Sequence, residues 1–161
     1  MTESLLSKLK KHWQELDVAQ AAGASDAEIV AFEERYGVTL PTDLREYFRE
    51  LNGFDIGHEG ASDLDLISFW HLDEVEQGKG ENGDIYYFAD WSIDACLYGI
   101  QLSSSMTSTP VFLDCGMFGK RNDLVKIAPS FSEFIAGYLR KDAFVLYGKA
   151  GDESPARRPP A

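Results

Sequence analysis

His58, His71, Cys96 and Cys115 are the side chains of this chain with the right donor atoms for zinc, since imidazole nitrogen and thiolate sulfur are its usual ligands. Their spacing shows neither C-x-x-C nor H-x(3–5)-H, and a cysteine on an apolar strand reads as a small core residue. A Cys nucleophile with a His base requires only proximity in the fold, but no acid or amide that would orient the base is identifiable. Carboxylates occur in close pairs, Asp63 with Asp65 and Asp90 with Asp94. Two residues apart on a strand, Asp63 and Asp65 would share a face, a geometry that suits calcium or proton transfer but more commonly forms a solvated acidic surface. The glycine-rich run 78–83 carries Lys79 yet lacks the G-x-x-x-x-G-K-[ST] order, and Glu76, Glu81 and Asp84 around it would repel phosphate. It reads as a surface loop. The sequence therefore predicts no catalytic residue, no cofactor and no metal.

Any site must be positioned by the elements the pattern specifies. Residues 1–16 mix Leu5, Leu6, Leu9, Trp13 and Leu16 with lysines, as an amphipathic helix does. Ser25 and Glu28 form an S-x-x-E capping box, which starts a second helix carrying Ile29, Phe32 and Tyr36 and ending at Gly37. Pro41 suits the first position of a third helix, where Leu44, Tyr47, Phe48 and Leu51 make an i, i+3, i+4, i+7 stripe that Asn52-Gly53 ends. Strands are predicted over 63–70, 85–91, 95–102, 109–115 and 124–128 from their short apolar or alternating runs. Residues 71–77 read as one or two helical turns, and 90–94 as the connection of a hairpin. Cys96, Tyr98, Ile100 and Leu102 alternate as in a half-buried strand. Residues 103–109 read as a flexible link. Ser130 and Glu133 form another capping box before a helix with Phe131, Phe134, Ile135, Tyr138 and Leu139, and 144–146 could add a brief terminal element. Helices first, then strands joined by short turns, then a helix predict an α+β domain with a mainly antiparallel sheet over 1–147. Residues 148–161 have the composition of a disordered tail.

The stretch 25–53, SDAEIVAFEERYGVTLPTDLREYFRELNG, resembles the SUKH superfamily, which includes a fungal cell-wall-synthesis regulator and many bacterial toxin-immunity proteins. The matching positions are Glu33, Leu40, Pro41, Asn52 and Gly53, with Ser25, Glu28 and Gly37 completing the caps. The resemblance implies a structural motif of caps, turns and packing residues and supplies no catalytic group.

Composition narrows the function further. The chain of 161 residues has a net charge of -12, which disfavours nonspecific contact with nucleic acid or anionic membranes. Residues 51–115 hold twelve acidic side chains and one basic one, Lys79, so nearly the whole imbalance lies there. No apolar run approaches the 18 or so residues of a membrane span, and the first residues lack the uninterrupted apolar segment of a signal peptide. With two cysteines, both expected reduced and packed, the reading is a cytoplasmic protein.

The acidic middle is interleaved with Trp70, Tyr86, Tyr87, Phe88, Trp91 and Tyr98, a combination that suits a negative surface with aromatic anchors for a basic partner. The expected partner-binding residues are Asp63, Asp65, Asp73, Glu74, Glu76, Glu81, Asp84, Asp90, Trp91 and Asp94. Together with the resemblance they predict a non-enzymatic protein-binding module: an immunity protein that neutralises a cognate, basic, nuclease-type toxin. The alternative is a regulatory scaffold in cell-wall or signalling control. Oligomeric state is not legible.

Overall fold

The computed structural model describes residues 3–55, 62–80, 83–92, 95–103, 108–115 and 124–148. The predicted tail, from 149 on, and most of the predicted link at 103–109 lie outside the described residues. Local hydrogen bonds start the helices. Ser4 Oγ accepts from Ser7 N–H at the head of α1 (Leu5–Glu15), and α2 (Asp26–Tyr36) opens on the complete Ser25/Glu28 box and closes at Gly37 with φ 63°. Pro41 stands one position earlier than expected, as the N-cap of α3 (Thr42–Glu50), a shift within the ordinary ambiguity of helix ends. Ser130 Oγ accepts from Glu133 N–H before α4 (Phe131–Arg140), and Asp142 caps the short α5 (Ala143–Tyr147).

All strand pairs are antiparallel: β1 (Ile67–Phe69) and β2 (Glu76–Gly80) both pair with β3 (Gly83–Trp91), and β4 (Cys96–Gln101), β5 (Val111–Asp114) and β6 (Leu124–Ala128) follow in order. The α+β architecture follows from the pattern, but three local expectations need correction. Of residues 71–77, Leu72–Glu74 form one helical turn as expected, of the 3₁₀ kind, but Glu76 and Gln77 already belong to β2. The predicted loop at 78–83 is in part strand, with Gly78, Lys79 and Gly80 paired to Ile85, Asp84 and Gly83. Glycine is needed there because a Cβ on Gly78 would stand 2.5 Å from the Tyr87 ring. Finally, β4 is buried along its whole length rather than on one face.

That double burial reflects two apolar clusters. The helices and the inward side chains Tyr86, Phe88, Tyr98, Ile100, Val111 and Leu113 form the main core. On the opposite face Trp70, Ile85, Tyr87 and Leu97 form a smaller cluster. Period-two alternation along β3 therefore delivers aromatic side chains to both clusters.

The strand expected at 63–70 begins only at Ile67 because Asp63 takes the preceding backbone. Its Oδ1 accepts the N–H of Asp65 at 2.8 Å and of Ile67 at 2.9 Å, and Leu66 adopts φ 66°. Its Oδ2 accepts the Tyr138 hydroxyl at 2.6 Å, and that hydroxyl accepts Trp13 Nε1–H at 3.2 Å. A chain of hydrogen bonds thus runs from α1 through α4 to the turn before β1. Burial raises the Asp63 carboxyl above its ordinary value, against the lowering effect of its bonds from Tyr138, Ile67 and Asp65.

Cys96 and Cys115 are joined in a disulfide. The β4–β5 register that pairs Leu97 with Asp114 brings residues 96 and 115 opposite one another. The expectation of two reduced thiols is corrected, and with it the cysteine argument for a reducing compartment, since disulfides persist mainly where conditions are oxidising.

Two measurements check these assignments. A carboxyl raised in the folded state binds more protons folded than unfolded once pH exceeds the ordinary Asp value of about 4. Its contribution to stability is therefore lost as pH rises through the folded pKa. In urea titrations, the unfolding free energy of wild type minus that of Asp63→Asn should decline across that window; a difference that rises with pH overturns the assignment. Thiol titration of denatured, unreduced protein should find no reactive cysteine, and reduction should cost about 3 kcal/mol for a loop of this size; two reactive thiols would contradict the pairing.

Candidate functional site

The carboxylates predicted to face a partner separate into distinct environments. Asp63 is 6% and Asp90 2% exposed. Asp90 Oδ2 accepts Trp70 Nε1–H at 2.6 Å, so both groups belong to the interior and neither stands at the surface. Asp63 and Asp65 consequently do not form a side-by-side surface pair. Half-exposed Asp65 lies 3.6 Å from Lys141 Nζ, and Asp84 receives Lys79 Nζ at 2.9 Å and Gln77 Nε2 at 3.0 Å. Lys79, the one cation of the acidic middle, is thereby engaged within its own hairpin. Glu81 and Asp94 lie outside the described residues. Asp73, Glu74 and Glu76 remain, close together on the 3₁₀ turn and the start of β2.

The expected aromatic anchors are corrected in the same way. Trp70, Tyr86, Tyr87, Phe88 and Tyr98 are each at most 2% exposed. Trp91 is half-buried with its ring centroid 5.2 Å from that of Tyr147. Tyr87 donates its hydroxyl to Asp114 Oδ2 at 2.6 Å, and Tyr98 donates to the Leu146 carbonyl at 2.7 Å. Burial holds the Tyr98 and Tyr138 hydroxyls above their ordinary pKa.

Of the surviving acidic trio, Asp73 borders a cavity of about 420 Å³ between α2 and the 71–75 segment. Alanines 21, 22, 24 and 31 with Phe32, Tyr36, Leu72 and Val75 give it an apolar lining, and Glu28, Arg35, Asn52, His71 and Asp73 supply the polar groups. A shallower depression adjoins it, sharing Arg35, Tyr36, Asp73 and Val75 and extending past Glu74 and Glu76 to Gln77. The volume lies within the range of binding clefts, about 300–1,000 Å³.

The 25–53 motif builds this groove. Asn52 Nδ2 donates to the Ala22 carbonyl at 3.0 Å and its Oδ1 accepts Leu72 N–H at 2.8 Å, so one side chain ties the two walls together. Asn52 has φ 55°, a conformation asparagine tolerates better than most residues. Gly53 follows at φ 80°, and a Cβ there would meet the Trp70 carbonyl oxygen at 2.5 Å. Glu33 Oε2 accepts Leu40 N–H at 2.7 Å and Arg45 Nη2 at 2.6 Å, which holds the α2–α3 turn. The Arg35 guanidinium lies 5.2 Å from the centroid of the Tyr36 ring, and that ring packs edge-on against Tyr86.

The three described candidates for zinc ligation, His71, Cys96 and Cys115, do not gather. Cys96 and Cys115 bind each other, His58 lies outside the described residues, and His71 instead faces Asp73 and Glu74, with Nδ1 at 3.6 Å from an oxygen of each. Among the described residues these three form the one group whose donor atoms all fall within 4.8 Å. His71 Nε2 bonds the Phe54 carbonyl, which fixes the ring. With both cysteines in the disulfide, neither is the thiolate that nucleophilic catalysis requires. No helix among the described residues is long and apolar enough to cross a membrane.

Sequence reasoning singled out Asp73, Glu74 and Glu76 but missed Ala21, Ala22, Ala31 and His71 as lining of a common groove. The run of alanines between two helices was the available signal, since small residues leave room where larger ones would fill it. A family model described as SMI1 / KNR4 family (SUKH-1) matches residues 23–137, a span that includes the groove's lining apart from Ala21 and Ala22. No curated protein matches the chain.

Asn52→Ala removes both bonds across the groove. It should lower unfolding free energy by about 1–3 kcal/mol and speed amide hydrogen exchange at Leu72 in particular. Unchanged exchange at Leu72 would show that Asn52 does not hold the walls.

Proposed function

Because the chain belongs to the SMI1 / KNR4 family (SUKH-1), which covers immunity proteins and SMI1/KNR4 regulators, we propose that it is a protein-binding module that acts by stoichiometric binding, without turnover, as the immunity protein of a basic, nuclease-type toxin. The observation that carries the reading is charge. The acidic middle of the chain holds twelve carboxylates against one lysine; Asp63, Asp90 and Asp114 among them are buried, and the lysine is paired with Asp84. An enzyme that holds nucleic acid must present Lys and Arg to phosphate. An acidic protein is drawn to that surface and can cover it.

The groove combines an apolar lining with carboxylates at its rim, a combination that suits a protein-binding surface. A regulatory scaffold remains the alternative within the same family, and it predicts a different partner.

The test is co-expression with the product of an adjacent toxin-like reading frame. Protection of the host, a one-to-one complex with Kd in the nanomolar range, and an association rate that falls as salt rises are the expected results. No complex and no protection would sink the immunity reading. Specific capture of a chromosomally unlinked envelope or signalling protein, with no toxin bound, would replace it with the regulatory one.

A further inference from the structure

We infer that the groove between α2 and the 71–77 segment is the docking site for a short, lysine- or arginine-bearing segment of the partner protein, whose apolar side chain enters the alanine-lined bay while its cation meets Asp73, Glu74 and Glu76. This rests on the protein-binding reading above and names where the partner is held.

The occupant follows from the lining. The wall formed by Ala21, Ala22 and Ala31 stops at Cβ, opposite Leu72 and Val75, so space is left for an aliphatic side chain of the partner. Filling it removes apolar surface from water, which is the main source of affinity in such a contact. Asp73 borders both depressions, Glu74 and Glu76 border the outer one, and Glu28 borders the bay from α2. Arg35 is the groove's basic side chain, and it lies against the Tyr36 ring. An anionic ligand or a nucleic acid would be repelled by this rim. A neutral apolar ligand would use the bay but leave the carboxylates of Asp73 and Glu76 partly desolvated, at a cost, whereas Glu74 Oε1 already accepts the His71 N–H at 2.9 Å. A cationic side chain satisfies them while they stay in contact with water. The bay and the rim lie side by side, so a single short segment reaches both.

The walls are held before the partner arrives. Asn52 joins Ala22 to Leu72, Ala24 N–H bonds the Phe48 carbonyl at 2.8 Å, and His71 is bonded to Phe54. A preformed groove loses less entropy on binding than one that must be ordered.

The probe is the peptide acetyl-Lys-Leu-Lys-Leu-Lys-amide, titrated into isotopically labelled full-length protein and followed by amide chemical shifts. Shifts should centre on Ala22, Ala31, Leu72 and Val75. The counterpart with glutamate in place of lysine should not bind. Ala31 is exposed on α2, so Ala31→Trp can fill the bay without disturbing the core, and it should weaken the basic peptide about tenfold or more. Asp73→Asn and Glu76→Gln should each weaken it about twofold to fivefold, the range for exposed charge pairs. Failure of the basic peptide to bind, equal binding of the acidic one, or an affinity unchanged by Ala31→Trp overturns the assignment. Co-purification with the toxin separates the two levels of the argument. Undiminished capture by Ala31→Trp removes the groove and leaves the protein-binding reading, whereas wild type that captures nothing removes the reading itself.

Discussion

A carboxylate taken out of water must have its lone pairs met, and the arrangement of this domain depends on how Asp63 meets that requirement. Its two oxygens accept bonds from two backbone amides and from the Tyr138 hydroxyl, which in turn receives the Trp13 indole. Three parts distant in sequence, α1, α4 and the approach to β1, are thereby fixed relative to one another. The apolar packing of Trp13 against Phe54 and Phe69 could tolerate small slides of α1. The hydrogen-bond chain could not, because direction and distance matter in it as they do not in apolar contact. The raised pKa of Asp63 shows that desolvation still outweighs its bonds. This group specifies the arrangement at some expense in stability at neutral pH.

From that frame the rest of the helical layer follows. Phe69 contacts Trp13, Tyr138 and Phe134, so the short strand β1 is pinned at the centre of the main core. Trp70 leaves it for the opposite face, where Asp90 receives its indole. The chain then enters the 3₁₀ turn whose first amide is held by Asn52. The position of the groove's acidic rim is therefore set by the same strand that the buried carboxylate anchors. Motif, core and candidate site are mechanically continuous, so a family signature without catalytic groups still fixes the shape of the groove.

What the sequence made legible was local. Ser25 with Glu28, Gly37, and Ser130 before Glu133 act within one helical turn, and each was readable because its partner is three or four residues away. Asp63 and Asp90 were not, because an acidic residue looks solvated until the fold shows what covers it. The aromatic segment 85–91 was legible as a strand but not as one buried on both faces, since that depends on two clusters assembled from distant elements. Gly78 looked like a loop residue, whereas its smallness serves the Tyr87 ring one strand away. Cys96 and Cys115 illustrate the same limit: their pairing is a consequence of strand register, and register has no local signature. Of the groove, the carboxylates of one rim were legible by composition, but the opposing alanines acquire meaning only when α2 and the 71–75 segment face each other.

The separation of buried from exposed carboxylates also changes how the acidic middle must be understood. Net charge acts at long range and raises the rate of encounter with a basic partner, but at physiological salt it is screened within about 8 Å. Exposed pairs contribute little affinity each, about 0–1 kcal/mol. A surface composed of charge alone would therefore attract many cationic proteins and retain none selectively. Retention needs buried apolar area, and the 73–76 segment has an apolar hollow beside it. On the proposed reading, attraction is spread across the acidic surface, while discrimination is concentrated in the side chains that shape one bay. A relative that keeps Asn52 and Gly53 but carries larger residues at 22 and 31 would preserve the fold and the attraction while excluding the same partner. On that reading partner choice changes through a few exposed wall positions without any change in the core.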